Sequence, residues 1–182
     1  MTGDERLMMD FFYNVTLWLR STALAPFALR MSEWPLTNYV VTHFWIIPFL
    51  QITHILAIAV SFAAVLMMNA RILGLNGEGR SIAQTTNRYM PWMWWGLVFI
   101  VASGVGMLFG DTVRNLLNAI YWTKMVLVVI TVLLSIWFHK GILRDIREDH
   151  DIGGTEKTVA VLLVVLWIMI MFGGRWIAYA PT

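Results

Sequence analysis

Gln51 and His54 interrupt "PFLQITHILAIAV" (48–60), a run that is otherwise apolar. Turning about 100° per residue on a helix places Gln51, His54 and Ser61 along one stripe. A second seam runs through Lys124, Thr131 and Ser135, with His139 about 60° off it. Ala102, Gly106 and Gly110 recur every fourth residue, with Ser103 and Gly104 beside them. Such a small-residue ridge admits another backbone or a flat cofactor. Arg175 follows the pair Gly173–Gly174. Imidazole suits axial ligation of haem iron, and cations such as Lys124 and Arg175 suit neutralising the propionates of a macrocycle. The other chemistry open to these groups is hydrogen bonding between helices.

Depth sorts these residues into two groups. At about 1.5 Å of rise per residue, His54 lies roughly 10–15 Å inside the outer end of its helix. Lys124 enters its helix from the same side, and Arg175 leaves on it. Gln51, His54, Lys124 and Arg175 therefore form an expected outer cluster, with His54 as the candidate axial ligand and Gly106 as the candidate cofactor platform. Arg71, Arg88 and His139 form an inner one. His139 falls about 12 Å deeper than His54, too far for both imidazoles to share one iron. His43 projects towards the side of His54 but lies at the interface, His150 stands in an acidic loop, and the 12 methionines read as packing.

The elements that must position these groups are membrane helices. Of 182 residues, 59% are hydrophobic and only 13% charged, a balance outside that of soluble domains. Four windows, near 45–70, 91–110, 119–139 and 158–178, reach the roughly 20 apolar residues that a span needs. Residues 43–182 are thus expected to form an up-down four-helix transmembrane bundle. Residues 1–42 are too polar to span and read as an interfacial amphipathic helix broken near Pro26. Arg71, Arg80, Arg88, Lys140, Arg144, Arg147 and Lys157 cluster after the first and third spans. The positive-inside bias then turns both termini to the periplasmic side of a bacterial inner membrane. The net charge of +2 builds no basic face, so no nucleic-acid partner is implied. The absence of cysteine excludes disulfides, thiolate metal sites and covalently attached haem.

The order "WLRSTALAPFALRMSEWPL", "ITHILAIAV", "NARILGL", "SGVGMLF", "YWTKMVLV", "FH" at 138–139 and "GGRWIAY" resembles an uncharacterised family of small bacterial four-helix inner-membrane proteins. The resemblance covers nearly the whole chain and matches His54, Arg71, Lys124, His139 and Arg175. An aspartate usual before the arginine is replaced by Ala70. The layout is also similar to copper-resistance D-like proteins and, more loosely, to four-helix cytochromes b.

Three functions follow as expectations. The first is a membrane subunit that holds a b-type haem or similar planar cofactor, serving electron transfer in a larger complex. The second is a structural or assembly subunit without a cofactor, in contact with lipid and with other subunits or copies of itself. The third is transport of copper or a small solute, against which stands the lack of acidic residues inside the spans. No nucleophile–base pair and no nucleotide motif points to an enzyme.

Overall fold

A computed structural model describes residues 3–75, 79, 81–147 and 153–176, with side chains described from residue 10 to 174 except at 145–147. Among the described residues there are eight helices and no strand. They are α1 (Gly3–Ser21), α2 (Leu24–Ser32), α3 (Pro35–Thr42), α4 (Ile46–Ile72), α5 (Ile82–Gly110), α6 (Thr112–Leu116), α7 (Ala119–Arg147) and α8 (Gly154–Trp176). Four of them, α4, α5, α7 and α8, are long and apolar enough to cross a membrane. The chain is an all-α membrane protein with a helical N-terminal segment.

The sequence predicts the second span from Pro91, yet α5 begins at Ile82 and carries Pro91 inside it. A reciprocal cap sets the true start: the Gln84 N–H donates to Ser81 Oγ at 3.1 Å, and the Ser81 N–H donates to Gln84 Oε1 at 3.0 Å. Two backbone donors of the first turn are thereby satisfied. Residues 82–88, part of the polar stretch "NGEGRSIAQTTNR" (76–88) whose composition predicts a loop, are helix. At the start of α7, Asn118 Oδ1 accepts the Ile120 N–H at 2.8 Å, the N-cap role for which asparagine is favoured.

The N-terminal segment, expected as one amphipathic helix broken near Pro26, forms three helices. The first break falls at Thr22 and Ala23, ahead of Pro26, which lies in the first turn of α2. Thr22 Oγ1 donates to the Leu19 carbonyl at 2.6 Å and accepts the Leu24 N–H at 3.3 Å, so its side chain takes over at the junction. The second break is proline-directed: Trp34 is extended (φ −62, ψ 144) and Pro35 opens α3. Proline disfavours helical backbone in the residue before it and is tolerated at the first helical position.

The chain forms two compact units, one of Met1–Gln51, Ser103–Val126 and Met171–Thr182, the other of Ile52–Ala102 and Leu127–Ile170. In the first, α2 packs on α6, and Ala28, Met31, Leu116 and Leu117 are its buried core. In the second, Val65, Met68, Met93 and Trp167 anchor one cluster, and Ile72, Phe138, Ile142 and Leu163 another. Both units bury small polar side chains and turn large apolar ones outward. Ser61, Thr86, Thr131 and Ser135 are buried, whereas Phe49, Ile55, Trp95, Val129, Leu133 and Phe172 are exposed. Lipid is as apolar as leucine, so helices gain by close packing and polar contact rather than by hiding hydrocarbon.

Candidate functional site

Of the expected outer group, Gln51, Lys124, Gly106 and Arg175 fall in the first unit and His54 in the second. Gln51 is exposed and His54 half-buried. Gln51 stands about 60° round the helix from His54, enough to carry it out of the packed face that Ser61 occupies. Lys124 is half-buried and lies across α8: a Cβ added at Gly174 would meet its Nζ at 3.0 Å. The lysine thus reaches the residue before Arg175 in sequence. Arg175 has a helical backbone, and its side chain, like Arg6, Arg80, Arg147 and His150, lies outside the described residues.

The glycine ridge is real, and side chains fill it. In the first unit, a Cβ at Gly106 would meet Leu50 Cδ1 at 2.8 Å, and one at Gly110 would press on Ile47 Cδ1. Moving forward on α4 from Ile47 to Leu50 moves backward on α5 from Gly110 to Gly106, so the two helices pack antiparallel here. Leucine and isoleucine occupy the space that the sequence reading offers to a flat ring. His43 is likewise structural: its Nδ1 is 2.8 Å from the Tyr39 carbonyl, and its ring lies 4.2 Å from that of Tyr39.

The inner group is where buried chemistry concentrates. His139 is wholly buried in the second unit. Its Nδ1 lies 2.7 Å from the Ser135 carbonyl oxygen. A carbonyl only accepts, so Nδ1 carries the proton, and in the neutral ring Nε2 presents its lone pair. Nε2 is buried and has no hydrogen-bond partner among the described residues. One helical turn back, Ser135 Oγ accepts the indole N–H of Trp167 at 3.3 Å. Ser135 therefore holds α7 to α8 with its hydroxyl while its carbonyl fixes the tautomer of His139.

Asn69 and Thr86 share the level of His139. Ser61 Oγ donates to the Met93 carbonyl at 3.5 Å, and a Cβ at Gly96 would stand 3.1 Å from the Ala57 carbonyl. These contacts make α4 and α5 antiparallel in the second unit. About eight residues further along α4 is Asn69, and about eight back along α5 is the neighbourhood of Thr86, each roughly 12 Å inward. On α7, His139 follows Phe138 in the cluster that also holds Ile72, one turn after Asn69. Asn69, Thr86 and His139 are all fully buried. Asn69 Nδ2 and Oδ1, Thr86 Oγ1 and, two turns back on α7, Thr131 Oγ1 are also without partners among the described residues. An unsatisfied buried polar group costs about 1–3 kcal/mol, so to find Asn69, Thr86 and His139 so at one level, with Thr131 about 12 Å away, is unusual.

Arg71 is half-buried in the last turn of α4, near this layer, and Arg88 is exposed. Sequence reasoning singled out Thr131 and Ser135 from the seam of α7 and His139 beside it. It missed Asn69 and Thr86. Asn69 offered a signal, a lone amide at the inner end of an apolar helix. Thr86 was hidden by the reading of its segment as loop. Among the described residues no three histidine, aspartate or glutamate side chains gather as a metal cluster, so His139 is a single imidazole donor amid amide and hydroxyl groups.

No curated protein and no solved structure matches the chain. A family model covers residues 32–180, which takes in α3 to α8 and both polar groups, and the chain belongs to that family, the Family of unknown function (DUF6644).

Proposed function

We propose that the protein is a membrane subunit that holds a b-type haem or similar planar cofactor, with His139 rather than His54 as its protein ligand. The observation that carries this reading is the imidazole of His139, wholly buried, with Nδ1–H given to the Ser135 carbonyl and Nε2 unengaged. Metal-ligating histidines are held in this way, the second nitrogen donating to a carbonyl and so fixing the tautomer. Intramembrane ionisable groups mark sites by default, and Asn69 and Thr86 add polar contacts at the same level. The filled ridge at Gly106 moves the reading from the outer group to the inner one.

The experiment is an absorbance spectrum with metal analysis on the protein purified in mild detergent. A Soret band that disappears in His139→Ala and persists in His54→Ala is the expected result. A preparation with neither a Soret band nor another bound chromophore sinks the proposal.

Packing favours a second reading. Neither of the two cavities described for the chain includes His139 in its lining. A structural or assembly subunit needs no such room, and its polar layer would serve helix–helix recognition alone. That reading expects partner subunits or further copies of the chain to co-purify in mild detergent, and expects His139→Ala to weaken that association without changing any spectrum. Under either reading we place the chain in a bacterial inner membrane with both termini outward, on the strength of the basic residues that follow α4 and α7.

A further inference from the structure

We propose that the cavity bounded by α1, α6 and the start of α7 binds a phosphate group, at a site apart from the His139 layer and independent of what that layer holds. The cavity has a volume of about 250 Å³ and lies wholly in the first unit. Its polar lining comes from Thr16 and Arg20 on α1, Asp111 and Arg114 at α6, and Asn118, the cap of α7. Thr16 ties these elements together: its Oγ1 donates to the Phe12 carbonyl at 2.8 Å and accepts the N–H of Ala119, the first residue of α7, at 3.4 Å. Arg20, one turn after Thr16, is thereby brought to the same cavity. The stretches that could cross a membrane stop on either side of it, α5 at Gly110 and α7 at Ala119. The cavity therefore sits at the level of headgroups and water.

Three features call for an anion there. Asn118 is only 4% exposed and its Oδ1 accepts the Ile120 N–H, while its Nδ2 has no hydrogen-bond partner among the described residues. A buried amide donor costs free energy until an acceptor reaches it. Arg20 is exposed and pairs with no carboxylate among the described residues. Arg114, by contrast, is matched by Asp111 at 3.8 Å, so that pair cancels and Arg20 leaves the lining with a positive charge. Asn118 also stands at the N-terminus of α7, a helix of 29 residues, where the backbone dipoles favour negative charge. Geometry selects phosphate among anions. Donors reach the cavity from α1 and from the start of α7, and tetrahedral phosphate presents acceptors in several directions, whereas a carboxylate presents its two in one plane. At this level the same chemistry comes from two sources, a phospholipid headgroup and a soluble phosphate.

The test is isothermal titration calorimetry of the full chain, delipidated in maltoside detergent, with inorganic phosphate and separately with short-chain dihexanoyl phosphatidylglycerol. Saturable binding of at least one is expected, and the tighter of the two identifies the source. Arg20→Gln should weaken that binding about tenfold or more. Asn118→Asp should abolish it, because aspartate keeps the cap on Ile120 and puts a negative oxygen where the donor stood. Arg30→Gln, which removes an exposed cation of α2 outside the cavity, should change nothing. Circular dichroism and gel filtration identical to the parent chain establish that each variant is folded. No binding of either ligand, equal affinity for acetate, or full affinity in Asn118→Asp would overturn the proposal. So would an equal loss in Arg20→Gln and Arg30→Gln, which would make the attraction one of general charge.

Discussion

Gly96→Ala tests the closest approach of α4 and α5 in the second unit. The added Cβ would overlap Ser61 Oγ and stand 3.1 Å from the Ala57 carbonyl oxygen. The serine hydroxyl can rotate, but it then leaves the Met93 carbonyl to which it donates at 3.5 Å. The Ala57 oxygen belongs to the backbone of α4 and can yield only if the helix moves. Overpacking of this kind costs about 1–3 kcal/mol, and contact with rigid backbone argues for the upper part of that range. Alanine returns about 1 kcal/mol in helix propensity. The net loss is then about 1–2 kcal/mol, a roughly 5- to 30-fold fall in the folded-to-unfolded ratio. Reversible unfolding by dodecyl sulfate in mixed micelles, followed by circular dichroism, measures it. Gly141→Ala is the control, because its new methyl group meets nothing within 4 Å and keeps the propensity gain. Adding Ser61→Ala to Gly96→Ala should restore part of the loss and leave the part owed to the carbonyl. If Gly96→Ala proves as stable as Gly141→Ala, the close approach is not what holds these helices together.

Two further outcomes are expected from the same unfolding assay. Leu50→Ala removes the side chain that fills the notch at Gly106 and should cost about 1–2 kcal/mol, less than a full core truncation because Leu50 is half-buried; an unchanged midpoint would mean that the notch is not a packing contact. Asn69→Leu replaces an unsatisfied buried amide with a side chain of similar volume and should stabilise the protein by about 1–3 kcal/mol. A destabilised Asn69→Leu would show that the amide is bonded in the working protein.

Hydrophobic length made α4, α5, α7 and α8 legible in the sequence, because a membrane span is defined by an apolar run rather than by a subtle period. Helix ends were less so. Residues 82–88 belong to a polar stretch with no span signal, yet the cap of Ser81 and Gln84 starts α5 ahead of them. That one misreading hid Thr86. Helix-wheel arithmetic put Thr131 and Ser135 on one seam of α7 with Lys124, and His139 about 60° off it; Thr131, Ser135 and His139 are all buried. It could not say what Gly106 faces, because that depends on which side chain of α4 arrives there, and Leu50 does. Nor does a wheel show whether an imidazole is already engaged. The difference between His43, whose ring lies tilted against that of Tyr39, and His139, with Nε2 unengaged among the described residues, is a matter of neighbours.

Polar side chains inward and aromatic ones outward also constrain how this chain can change over generations. Positions such as Ile55, Val129 and Leu133 face hydrocarbon, where one apolar side chain serves about as well as another, so mutation there is almost silent. Ser61 and Gly96 leave no such latitude, since one extra carbon at Gly96 runs into α4. As in a soluble domain the exterior drifts and the interior does not, but the chemistry is exchanged: the freely changing residues are the oily ones, and small, plain interior residues carry the memory of the fold.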